Sequence, residues 1–164
     1  MKSIRRVIAG RKAKIVGEKF ENYLKSESYR QGWEIIRIPD GCKQVSASKT
    51  IRIRTPFDFI FHKTGKIIFA DAKTTKKSTF NHSQITIHQV QELYKLECNG
   101  YTAGYIINFS EKNLTEFYRA SKLLDIYKSF GSIKPEMGIP IGNNSTINID
   151  NILLNGINGK LAEF

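Results

Sequence analysis

The stretch TPFDFIFHKTGKIIFADAKTT, residues 55–75, limits what this chain can fold into more than any other segment. Apolar and β-branched residues fill two runs on either side of Gly65, the pattern of two strands joined by a tight turn. Yet Asp58 lies inside the first run, between Phe57 and Phe59, and Asp71 and Lys73 close the second. Lone carboxylates are costly to bury, so such charges face water, pair with each other, or hold a cation. On adjacent strands joined by a turn, Asp58 and Asp71 can lie side by side, and Lys73 points to the same face as Asp71. Hydrolysis of a phosphodiester needs this chemistry. Hard oxygen donors hold Mg²⁺, which polarises the phosphate and helps make hydroxide, and a cation sits near the attacking water. A single D-x-K on its own more often marks an ordinary exposed pair; the Pro56-Phe57-Asp58-Phe59 setting argues against a plain solvated face for Asp58.

Charge points the same way. The 164 residues carry a formal net charge of +11, more than solubility requires, and such an excess meets a polyanion, here nucleic acid rather than an anionic membrane. No apolar run approaches the roughly 20 residues of a spanning helix. The N-terminal MKSIRRVIAGRKAK is basic without the apolar segment of a signal peptide, so a cytoplasmic protein is expected. Cys42 and Cys98 belong to no CxxC or Cys/His cluster, which predicts two reduced thiols. His62, His82 and His88 lack metal-ligand spacing, and none is a predicted ligand.

The 40% hydrophobic content suits one domain and its core. In KAKIVGEKFENYLKSESY, Val16, Phe20 and Leu24 recur every four residues, which predicts the first helix. WEIIRIP reads as a strand ended by Pro39, and IRIRTPFDFIF as a strand whose front half alternates Ile and Arg. In TIHQVQELYKLECNG, Thr86 is a candidate helix cap with Gln89 completing a capping box, and Gly100 ends the helix. AGYIINF and TEFYRA read as strands and SKLLDIYKSF as a closing helix, giving an α/β fold with a mixed sheet flanked by helices. The expected organisation is one domain: a basic N-terminal arm (1–14), a core (15–130) and an irregular C-terminal extension (131–164) rich in Gly, Asn and Ile.

Pro56-Phe57-Asp58 followed by Asp71-Ala72-Lys73 resembles the PD-(D/E)xK nuclease signature, and its surroundings resemble RecU-type Holliday junction resolvases, including phage-encoded relatives. Gly17-Glu18-Lys19-Phe20-Glu21 resembles that family's first-helix motif, a glycine followed four residues later by a metal-site glutamate. DAKTTKKSTF, IHQVQELYKL and FYRASKLLDIY are similar to its acidic-x-Lys segment, its His-Gln helix and a later segment. The resemblance covers about residues 15–130 and, more weakly, IPIG. Asp71 stands where the family commonly has Glu, and the segment before Asp58 is shorter than the family's protruding stalk.

The resemblance implies a restriction-endonuclease-like core, with Asp58, Asp71 and Glu21 holding Mg²⁺ (or Mn²⁺ in its place), Lys73 orienting or activating the water, and Gln89 assisting. From the residues alone, Glu18 competes with Glu21 as third carboxylate, and Gln89 has the capping box as an equal alternative. Arg5, Arg6, Arg11, Lys12 and Lys14 in the arm, and Arg52, Arg54, Lys76 and Lys77 around the hairpin, are candidate phosphate contacts. The implied substrate is branched DNA, above all four-way junctions, cut by a homodimer because two symmetric strands call for two sites related by a two-fold axis. Other nucleases of the same fold (nickase, repair or restriction-like) and a non-catalytic DNA-binding accessory protein remain as alternatives.

Overall fold

The hairpin expected between residues 55 and 75 forms, as strands β4 (Phe59–Lys63) and β5 (Lys66–Thr75). In the computed structural model, which describes residues 2–46, 49–53 and 55–157, its turn has φ of 49° at Thr64 and 75° at Gly65. Positive φ at both central residues is the turn whose twist matches that of its strands. This turn sets the register. Lys63 pairs with Lys66 and Phe59 with Ala70, so Asp58 and Asp71 are the next residues along the two strands.

The hairpin lies within a six-stranded sheet. Helix α1 (Lys2–Arg30) leads to strand β1 (Glu34–Arg37), then to β2 (Gly41–Ser46) and β3 (Lys49–Ile53), which pair only with each other as a separate ribbon. After β5 come helix α2 (Ile87–Cys98), strands β6 (Thr102–Phe109) and β7 (Leu114–Arg119), helix α3 (Ala120–Lys128), strand β8 (Ile139–Gly142) and helix α4 (Asp150–Ile157). The sheet order is β1-β4-β5-β6-β7-β8, with β5 and β6 parallel and the other neighbours antiparallel. A parallel pair needs a crossover, and α2 supplies it.

Both faces of the sheet are covered, and the strand period of two sorts side chains between them. Ile68 and Ala70 of β5 pack with Phe20 and Leu24 of α1 and with Trp33, Phe59 and Phe61. On the other face Ala103, Tyr105, Ile107 and Phe109 of β6 pack with Val90 and Leu93 of α2 and with Leu123 and Ile126 of α3. Asp71 and Lys73 are out of phase with Ala70 and Ala72, so they belong to this α2 face.

Three parts differ from the sequence-based expectation. The first helix begins at Lys2 instead of Lys12, so the expected arm is a helical extension; residues 11–16 of α1 are exposed, and α1 meets the core from Phe20 onward. Nothing in KSIRRVIAGRKAK includes a proline, and its Lys, Arg and Ala favour the helix. IRIRTPFDFIF divides: Pro56, which has no N–H for a ladder, falls between ribbon strand β3 and sheet strand β4. Residues 131–157, expected to be irregular, contain β8 and α4. Ile141, Ile147, Ile149 and Ile152 bury against the α1 face, and the Gln31 side chain accepts from Ile149 N at 2.9 Å. Isolated anchors of this kind leave no helical period to read. Among the described residues no helix is long and apolar enough to cross a membrane.

Candidate active site

Asp71 is wholly buried. Its strand pairs with β6 so that Asp71 stands opposite Tyr105, and α2 crosses above both. Burial first, and the Asp58 carboxyl beside it second, push its pKa from 3.8 up to about 7, against the opposing pull of Lys73. The Lys73 ammonium forms an ion pair with Asp71 Oδ2, which makes no directed hydrogen bond among the described residues. On the other oxygen, Gln89 Nε2 of α2 donates to Asp71 Oδ1 at 3.3 Å. Tyr105 completes the arrangement. Its hydroxyl donates to Gln89 Oε1 at 3.5 Å, and its ring lies 5.7 Å from Lys73 Nζ. Burial, followed by the charge of Asp71, raises the Tyr105 pKa, so this hydroxyl stays protonated and able to donate.

Asp58, just before β4, Asp71 and Lys73 of β5 and Gln89 of α2 are therefore brought together. Gln89 does not close a capping box: Thr86 is the N-cap of α2 but makes no side-chain cap bond. Glu21 lies elsewhere. It extends from α1 on the opposite face and accepts from Arg37 Nε at 3.1 Å, Arg37 being the register partner of Phe59. Glu18 is exposed, 3.7 Å from Lys14. His88 is exposed and shares with Thr55, Pro56, Thr86 and Gln89 a cleft of about 140 Å³ beside the carboxylates.

The candidate phosphate contacts divide as well. Lys12, Val16, Thr74, Lys76, Lys77 and Gln84 line one groove of about 330 Å³, so a lysine of the exposed part of α1 shares it with the two lysines that follow β5. Arg11 and Lys14 are exposed on the same helix. Arg5 and Arg6 lie in the first turns of α1 and Arg52 in β3, described by their backbone alone. Arg54 lies outside the described residues.

Asp58 and Asp71 suit a divalent cation. Two hard-oxygen carboxylates sit next to each other, one of them wholly buried and with its pKa raised by burial and by its neighbour. A positive ion would offset each of these. Among the described residues no group of three or more His, Cys, Asp and Glu is placed to hold one, and Glu21 is engaged with Arg37. Tyr105 was missed by the sequence reading. As one aromatic in the apolar run AGYIINF it looks like core, and only the parallel β5–β6 register sets it under Lys73 and Gln89.

The family described as Recombination protein U, RecU, matches residues 32–150, a span that includes Asp58, Asp71, Lys73 and Gln89 and leaves α1 outside it. Among solved structures the chain is similar to Hjc of Archaeoglobus fulgidus, a Holliday junction resolvase from an archaeal hyperthermophile. The identity is 19%, the match covers 64% of this chain and 78% of that one, and the TM-score is 0.47. Comparison with curated proteins gives no match.

Proposed function

The chain belongs to the Recombination protein U (RecU) family, and on that premise we infer that it is a nuclease that binds and resolves Holliday junctions in DNA recombination. The finer reading is a divalent-metal-dependent endonuclease acting as a homodimer. The observation that carries it is the opposition of Asp58 and buried Asp71 across the hairpin, with Lys73 paired to Asp71.

Asp58 and Asp71 would hold Mg²⁺, or Mn²⁺ in its place, while Glu21 stays paired with Arg37. When bound, the ion polarises the scissile phosphate and lowers the pKa of water. The chain's own residues do the rest. Gln89 holds one oxygen of Asp71 and so fixes the plane of its carboxylate, while Tyr105 holds Gln89. Lys73, partly exposed beside Asp71, supplies a fixed positive charge where negative charge develops at the attacked phosphate. Lys12, Lys76 and Lys77 grip neighbouring phosphates in their shared groove, which confers affinity without sequence preference.

Incubating the protein with a labelled four-way junction and a linear duplex of the same sequence, with and without Mg²⁺, tests this reading. Paired symmetric cuts in the junction, dependent on Mg²⁺, are expected, together with a sedimentation mass of two chains. Junction binding without cleavage in either Mg²⁺ or Mn²⁺ would leave only an accessory role. Cleavage of linear duplex at the same rate would replace junction resolution with a general nuclease activity.

A further inference from the structure

Phe130 sits in a place where neither backbone nor burial favours phenylalanine. It follows the C-cap of α3, and its φ of 54° is left-handed, the conformation in which helices usually end on glycine. The chain does have a glycine here, but one residue late, at Gly131. Phe130 N donates to Tyr127 O at 3.1 Å and Gly131 N to Ile126 O at 2.9 Å, so the capping bonds close around the strained residue. Its side chain is 83% exposed, the most exposed large apolar group among the described residues.

The ring is not isolated. His82 stacks on Tyr127 with centroids 4.4 Å apart and 26° between planes, and lies 5.3 Å from the Phe130 ring. Three rings thus form a platform with Phe130 at its outer edge. The platform is tied to the candidate active site through the chain that leaves β5. This segment carries exposed Lys76 and Lys77, pairs Phe80 with Ile133 through two backbone bonds of 2.8 and 2.9 Å, and then reaches His82. Gln84, two residues after His82, lines the groove with Thr74, Lys76 and Lys77. An exposed aromatic surface next to a lysine-lined groove matches a nucleic-acid strand, whose backbone is anionic and whose bases are flat and apolar.

We propose that Phe130, backed by His82 and Tyr127, is a stacking platform for an unpaired or unstacked base at the branch point of the DNA. The proposal rests on the junction-binding reading above and names the feature of the substrate that this surface takes. Paired bases in a linear duplex have no free face to offer, so the platform contributes to binding of branched DNA and not of duplex.

Phe130→Gly is the informative variant, because glycine suits the left-handed backbone while removing the ring. Its melting temperature should equal or exceed that of the wild type, whereas its affinity for a four-way junction in metal-free buffer should fall about tenfold, as when a base-stacking aromatic is lost. Affinity for linear duplex should stay within twofold, and Phe130→Trp should restore junction binding. Unchanged junction affinity in Phe130→Gly overturns the platform, and so does an equal loss on duplex. A shift of the variant from dimer to monomer in sedimentation overturns it too, since the ring would then contact a second chain. Wild-type protein without any preference for the junction over duplex would instead overturn the junction reading on which the proposal stands.

Discussion

The two faces of the central sheet are built from the same strands yet differ in what they bury. Toward α1, β5 presents Ile68, Ala70 and Ala72, and the layer is closed by Phe20, Leu24, Phe59 and Phe61. Toward α2, the alternate residues of β5 are Phe69, Asp71 and Lys73, met by Gln89 and Tyr105. Strand β5 thus puts a fully buried carboxylate and a lysine into one layer and only apolar side chains into the other, a cost that packing alone does not explain. Glu21 and Arg37 on the α1 side provide an internal control: the same kinds of charge, but paired at the margin, with Arg37 half exposed. The difference favours a chemical role for the charges that β5 carries toward α2, whereas Glu21 on the α1 side is satisfied locally by Arg37.

Removing a carboxylate from the α2 face should have the largest effect. Asp58→Asn and Asp71→Asn should each abolish single-turnover cleavage of a four-way junction in Mg²⁺ and leave binding nearly intact, because loss of negative charge also lowers repulsion toward phosphate. Cleavage at the wild-type rate by either variant would break the comparison. Lys73→Ala comes next, with a fall of roughly 10²-fold in the same assay, the scale for loss of one preorganised donor to the transition state. An unchanged rate would make Lys73 only the partner that offsets the buried charge of Asp71.

The raised pKa of Asp71 gives a third test. Its folded value, about 7, lies above its ordinary 3.8, so the folded protein keeps a proton that the unfolded chain has lost over that range. Folding stability therefore decreases as pH rises from about 4 to 7. Metal binding must displace the same proton, so at sub-saturating Mg²⁺ cleavage should fall roughly tenfold per pH unit below about 7. More Mg²⁺ should move the midpoint to lower pH. A flat profile between pH 5.5 and 8 would contradict a protonated Asp71.

Smaller effects sharpen the contrast. Tyr105→Phe keeps the ring under Lys73 and removes the hydroxyl held by Gln89, so a several-fold loss of rate with unchanged junction affinity is expected. Combined with Gln89→Ala, it should add nothing further, which a double-mutant cycle measures. Glu21→Gln on the opposite face should change the rate least, by about twofold, because a half-exposed ion pair is weakly coupled to the site. A loss as large as that of Asp58→Asn would show that Glu21 exchanges Arg37 for the metal during the reaction.

What the sequence disclosed follows the range of the forces involved. The hairpin, α2 and α3 have local periodicity and local turn chemistry, so their residues suffice to place them, and with them the pairing of Asp58 and Asp71. Gln89 had two equal readings because the choice depends on a contact with Asp71 across 18 positions. Tyr105 was invisible for the same reason, its role arising from a parallel register between strands separated by a helix. Strand β8 and helix α4 are short and take their stability from single isoleucines buried against distant residues, a signal without period. The length of α1 was underestimated because Gly10 and the basic run Arg11-Lys12-Ala13-Lys14 interrupt its apolar spacing between Ile8 and Ile15.

The primed turn at Thr64-Gly65 has a consequence for how this hairpin can vary. From that turn each strand counts outward to its aspartate, and odd and even positions point to opposite layers. Losing one residue from either strand alone would leave the two carboxylates on different sides of the sheet. Losing one from both would keep them opposed but turn them toward α1, away from Gln89 and Tyr105. Only steps of two residues in both strands together return Asp58 and Asp71 to the same neighbours. The hairpin is thus a counting device in which length can change only in paired, even increments, while the two turn residues themselves are free to differ as long as both accept a left-handed backbone.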